Sequence, residues 1–218
     1  MMLTMTTTGR AARAFLFAAV FAAGCASKAP IAPPADAPEP DRYLYEQGKA
    51  QLDQKKWLTA REYFRRLVDG YPQSTYRADA KLGIGDSYLG EDTPEAQVYA
   101  LNEYREFLSF FPTHRRADYA QYRLALSHYQ QMLSPQRDQT ATKDAVREFE
   151  LFLERYPASD LRSEVTGKLR EAKDRLSRAE YEVGLHYFRM KWYPGALERF
   201  MGLLKTDPQF TDLSLIHI

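Results

Sequence analysis

The chain has 218 residues, enough for one or two ordinary domains, and carries 30 basic against 29 acidic side chains. Such a balance argues against nucleic acid as a partner, since that needs a basic excess on one face. Fifteen tyrosines and twelve phenylalanines supply a sizeable core, while a single cysteine excludes an internal disulfide or a cysteine metal cage.

The chain opens on an export signal. Arg10 and Arg13 give a positive start, and residues 14–23 form an unbroken apolar run of ten, too short to span a bilayer. Small residues Ala22, Ala23 and Gly24 then precede Cys25. This order resembles a bacterial lipobox, with Ala22 standing where that motif prefers leucine. The resemblance implies a lipoprotein signal peptide over residues 1–24, cut before Cys25, whose thiol then carries covalent lipid. Acyl chains at about 0.8 kcal/mol per buried CH₂ would anchor the protein to a membrane. Ala26 in place of aspartate implies sorting to the periplasmic face of the cell outer membrane. Residues 25–41 read as a lipid-anchored tether, because Pro30, Pro33, Pro34, Pro38 and Pro40 favour an extended chain.

From residue 42 the sequence repeats itself. Counting back from Pro157, apolar residues stand at −12, −8, −5, −4 and −1, as Ala145, Phe149, Phe152, Leu153 and Tyr156. The same offsets give Ala60, Phe64, Leu67, Val68 and Tyr71 before Pro72, and Ala100, Tyr104, Phe107, Leu108 and Phe111 before Pro112. Before Pro208 they give Ala196, Phe200, Leu203 and Leu204, and only Asp207 breaks the series. These spacings keep one face of a helix apolar, and each proline stops the helix at a fixed place. Gly48 and Gly184 lie twenty-four residues ahead of their prolines. Gly85 and Ala125 take that role in the middle copies, displaced by loop insertions near residues 89–94 and 133–142. A small residue inside a helix lets a second helix approach closely. One such face cannot be buried alone, so four copies imply stacked units sharing a core.

This order of small residue, alanine, aromatic and proline resembles the tetratricopeptide (TPR) repeat. It implies an all-α, TPR-like superhelical solenoid of about four helix pairs over residues 42–210. The predicted helices are 43–55 with 57–71, 75–89 with 94–111, 116–132 with 142–156, and 160–190 with 194–205. Thr93-Pro94 reads as a helix start. Residues 160–190 contain no proline and alternate in charge, which predicts one long solvated helix of eight or nine turns.

More specific words follow. FFPTHRRADYAQYRLALSHY (110–129), RDQT (137–140), RLSRAEYEVGLHYF (175–188) and the GYP and RYP closures are similar to the BamD family. These are the TPR lipoproteins of the outer-membrane β-barrel assembly machine, and the likeness covers about residues 43–208 plus the head. The resemblance implies a non-enzymatic adaptor that binds the periplasmic domains of BamA, sits among other Bam lipoproteins, and engages unfolded outer-membrane proteins for insertion. The family continues into a fifth helix pair, whereas this chain stops ten residues after Pro208. Residues 211–218 show no helical period, so the expectation is a truncated chain with an irregular, non-native tail. The alternative is another periplasmic TPR lipoprotein, scaffolding cell-envelope or secretion complexes.

No catalytic constellation emerges. His114, His128, His186 and His217 are scattered with no carboxylate at ligand spacing, so neither an enzyme nor a metal is expected, and no cofactor beyond the lipid on Cys25. His128 and His186 lie beside apolar positions and read as packing or groove residues. By the TPR resemblance, first helices line a concave groove three before, one after and four after the small residue. That selects Tyr45, Lys49, Leu82, Asp86, Tyr122 and Tyr129 as a substrate groove, with Leu52, Leu89 and Leu126 beside them. The competing reading packs these tyrosines between helices. Arg199 matches, by resemblance, an arginine through which the BamD family contacts BamA; its alternative is a solvated surface arginine.

Overall fold

The structure is a computed structural model that describes residues 31–35 and 37–212. Cys25 with the rest of the lipobox-like head, and residues 213–218, lie outside the described residues. Every described helix lies within Pro33–Ile218.

Eight helices follow one another: α1 (Pro40–Asp53), α2 (Trp57–Gly70), α3 (Arg77–Glu91), α4 (Pro94–Phe110), α5 (Ala117–Gln130), α6 (Thr140–Arg155), α7 (Arg162–Arg189) and α8 (Tyr193–Thr206). There is no strand among the described residues, so the fold is the expected all-α stack. Each helix packs mainly on its sequence neighbours, and α1 also touches α3. α1 starts at Pro40, earlier than the tether boundary, because a proline fits the first helical turn where its missing N–H is not needed. Pro94 does the same in α4, and Thr93 Oγ1 accepts the Ala96 N–H at 3.2 Å. The RDQT word proves to be helix-start chemistry: Asp138 accepts from the N–H (3.3 Å) and hydroxyl (2.9 Å) of Thr140 at the start of α6.

The repeated offsets are the packing code. A methyl group on Gly48 would come within 2.6 Å of the Phe64 ring, one on Gly85 within 2.7 Å of Tyr104, and one on Gly184 within 2.6 Å of Phe200. Each pair therefore closes by pressing a glycine backbone against the aromatic at −8. In the third pair Ala125 and Phe149 fill those places, both fully buried.

Three cores result. One joins α1 to α4 and takes Ala120 and Leu124 from α5. The second takes Tyr122 and Ala125 from the same helix, with α6 and Val165 and Leu169 of α7. The third sets Tyr181 of α7 against Leu203 of α8 and Phe210. The 28 residues of α7 make a rod of about 42 Å, just under eight turns, long enough to serve both later cores.

The loops α1–α2 and α7–α8 are the same turn. Lys55 (φ 59°) and Lys191 (φ 61°) are left-handed. Lys55 and Lys56 donate to Leu52 O and Gln51 O, each at 2.9 Å; Lys191 and Trp192 donate to Phe188 O (3.0 Å) and Tyr187 O (2.9 Å). Those bonds satisfy the last carbonyls of α1 and α7, and the Trp192 ring meets Tyr187 edge-on at 4.7 Å.

Candidate partner-binding site

A cleft of about 240 Å³ opens between α1 and α3, with Tyr45, Leu52 and Phe64 as its apolar wall and Lys49, Asp53, Asp79, Asp86 and Arg116 around them. Tyr45 is half-buried. Its ring stacks on Tyr76 at 5.1 Å and tilts against Phe64 at 6.2 Å. Burial raises its phenol pKa, and the negative charge of Asp79 adds to the rise. Lys49 is exposed on the rim.

Asp86 is a hub inside the stack. It accepts hydrogen bonds from Tyr104 (2.7 Å), from Tyr119 on both oxygens (2.9 Å), and from Arg123 Nε (3.0 Å). Burial drives the Tyr104 and Tyr119 phenols well up, and the Asp86 charge pushes further the same way. Both hydroxyls therefore stay donors, and three helices are tied at one carboxylate.

The remaining groove candidates are not open to a ligand in the same way. Leu82 is fully buried in the first core, and Tyr122 is buried, its hydroxyl donating to Glu164 of α7 at 2.5 Å. Tyr129 is half-buried: it meets Phe149 edge-on at 6.1 Å, lies under Lys168, and donates to Glu171 of α7. Burial first, then the Glu171 bond, pushes its pKa up to about 12. The groove expected through Leu82 and Tyr122 meets two buried side chains. α7 lays Glu164 and Glu171, two turns apart, along α5, where they accept from Tyr122 and Tyr129. Lys49, Tyr45 and Asp86, gathered at the first cleft, are the candidates that line one site.

His114, in the most distinctive word of the sequence, is a loop anchor. Its ring sits edge-on to Phe107 at 5.5 Å, and Nδ1 accepts the Arg116 N–H at 3.2 Å. In the flanking copies a serine takes its place: Ser74 donates to Asp41 (2.7 Å) and Ser159 to Asp118 (2.6 Å). Asp79, left without a serine, pairs with Arg116 at 3.0 Å and Arg115 at 3.4 Å. His128 is buried and His186 exposed. Among the described residues no cluster of metal ligands occurs, and no helix is long and apolar enough to cross a membrane.

At the other end, Arg199 is exposed and paired with Glu180 of α7 at 2.9 Å. On the opposite side of α8, Leu197, Met201 and Leu204 with Phe188 and Tyr193 line an apolar cleft of about 640 Å³. Leu197 is 60% exposed, whereas Arg61 and Leu101, at the same offset from their prolines, are buried. Leu197 and Met201 mark this face in the sequence, for at the offset of Met201 the other copies hold Arg65, Arg105 and Glu150.

The family model for the YfiO outer membrane lipoproteins matches residues 38–214, a range that holds all eight helices. The chain belongs to the YfiO outer membrane lipoprotein family. Relatives named outer membrane protein assembly factor BamD are similar along much of the chain. The protein of Caulobacter vibrioides is 28% identical over 193 residues, covering 88% of this chain and 62% of the relative. That of Vibrio cholerae is 26% identical over 195 residues, covering 85% and 78%, and that of Xylella fastidiosa 25% over 185, covering 80% and 62%. The match thus spans under two thirds of the Caulobacter and Xylella proteins. The first cleft joins exposed charge to an apolar wall, whereas Arg199 and the apolar cleft at Leu197 and Met201 lie on opposite sides of α8.

Proposed function

We propose that this chain is a non-enzymatic adaptor in outer-membrane protein assembly, held at the periplasmic face of the outer membrane by lipid on Cys25. The observation that carries the reading is the family match through the whole helical stretch, joined to relatives named as assembly factors. In this reading unfolded outer-membrane proteins lie across the cleft at Tyr45 and Lys49, and BamA docks on the half of the stack that carries Arg199. A solvent-exposed guanidinium can exchange Glu180 for a partner carboxylate at little cost, because exposed ion pairs are weak.

Co-purification from detergent-solubilised membranes tests the proposal, with BamA as the expected companion. Arg199→Glu should weaken that capture, since attraction becomes repulsion. Lys49→Glu, on an exposed rim residue, should reduce crosslinking to a substrate peptide while BamA stays bound. Cys25→Ser should move the protein out of the membrane fraction. Wild-type protein that never brings down BamA would favour the other reading, a scaffold for a different envelope complex.

A further inference from the structure

His128 is 6% exposed in the last turn of α5, and its two ring nitrogens face opposite charges. Nε2 lies 3.5 Å from Nη2 of Arg105 on α4. Nδ1 lies 4.0 Å from Oδ2 of Asp144 on α6. A guanidinium donates only, so Nε2 must accept, and the remaining proton sits on Nδ1 toward Asp144. This neutral tautomer gives Arg105 an acceptor and turns the Nδ1 proton toward the Asp144 carboxylate, which at 4.0 Å is an electrostatic contact and not a hydrogen bond.

A second proton has no place to go but Nε2, where it points at the donors of Arg105. The hydrogen bond between α4 and α5 is then lost, and two cations stand 3.5 Å apart. Two carboxylates are near enough to help, Asp144 and Glu148 of α6. Arg147 already holds both, at 2.7 Å and 3.2 Å, and Glu148 also accepts from Gln121 of α5 at 2.9 Å. Burial first, then the charges of Arg105 and Arg147, keep the imidazole below the ordinary histidine range against the pull of Asp144 and Glu148.

The place of this cluster gives it a consequence. α5 is the helix shared between two cores: Ala120 and Leu124 belong to the first, Tyr122 and Ala125 to the second. We propose that His128 is a proton-sensitive latch at the α4–α5 junction, whose protonation loosens the first two helix pairs from the third. It is independent of the assembly role proposed above. The sign follows from linkage. The unfolded chain takes up the proton near the ordinary histidine pKa of about 6.5 and the folded chain resists, so stability is lost as pH falls through that value.

The test is hydrogen exchange, read as protection factors helix by helix at about pH 7.5 and about pH 5.5, either side of the free imidazole pKa. Protection in α5 and the adjoining part of α4 should drop on acidification in the wild type, with α1 as internal reference. His128→Gln should abolish the drop, because its amide can accept from Arg105 and donate toward Asp144 without titrating. An NMR titration of the imidazole gives the second reading: its midpoint should lie below that of a free histidine, and should rise in Arg105→Gln. The idea is overturned if His128→Gln loses protection on acidification as the wild type does, or if Arg105→Gln leaves the midpoint unmoved. Should His128→Gln fail to fold, by circular dichroism, the Arg105→Gln titration decides alone.

Discussion

Asp207 shows how one residue can break a pattern and be explained by what it touches. The other three copies hold an aromatic there, and Phe111 and Tyr156 each pack on the phenylalanine one turn earlier, at 5.4 Å and 5.6 Å between ring centroids. Asp207 reaches back to α7 instead, accepting from Arg170 (Nη1 at 3.0 Å) and from the Ser177 hydroxyl. Arg170 also holds Asp174, one turn along, so one guanidinium fastens the end of α8 to the middle of α7. Burial alone would raise the Asp207 pKa, but the bonds from Arg170 and Ser177 outweigh it and hold the carboxyl below its usual value. A depressed carboxyl stabilises the fold above the unfolded pKa and ceases to do so as pH falls through the folded one. The contribution of Asp207 should therefore be full at neutral pH and vanish only below about pH 4, where carboxylates are protonated. Asp207→Ala should cost about 1–3 kcal/mol at neutral pH, less than a fully buried pair because Arg170 keeps some solvent contact. Denaturant melts of wild type and variant should converge in acid; a gap that persists there would show that the loss is packing, not charge.

Among the elements, the two tight turns carry a testable asymmetry. Lysine at φ near 60° is tolerated but unfavourable, glycine is at ease there, and a β-branched side chain is a steric misfit. Lys191→Gly should gain up to about 1 kcal/mol and Lys191→Val should lose at least as much, with Lys55 following the same order. Thermal melts that rank valine above lysine would remove the left-handed assignment. The helices themselves were legible because proline stops and period-3.6 spacing are local signals, and the glycine-to-aromatic contacts follow from one offset. The groove was not legible, for a reason of distance along the chain. Whether Tyr122 faces solvent depends on Glu164, and Tyr129 on Glu171, each forty-two residues further on. No local pattern announces that α7 will lie along α5. Phe210 was missed in the same way: it follows the last proline, outside every repeated offset, yet is buried against the third core.

The whole stack is held by neighbours. Contacts run chiefly from each helix to the next, and the cores divide at α5 and along α7. Such a molecule stores stability as a sum of unit and interface terms, so damage should spread only as far as the interfaces that share it. Phe149 sits at the centre of the third pair, fully buried against Ala125 and touching the edge of Tyr129. Phe149→Ala removes a ring from a closed, fully buried site, and should cost about 3–5 kcal/mol. Under native conditions the loss should not be uniform. Amide protection should fall most in α5, α6 and the first half of α7, which line that core, and least in α1 and α2, which are two interfaces away. A variant that loses protection equally in α1 and α6 would mean that the eight helices unfold as one cooperative body. In that case the two proposed partner surfaces could not be perturbed independently, and the contrast drawn between Lys49 and Arg199 variants would have to be read as stability alone.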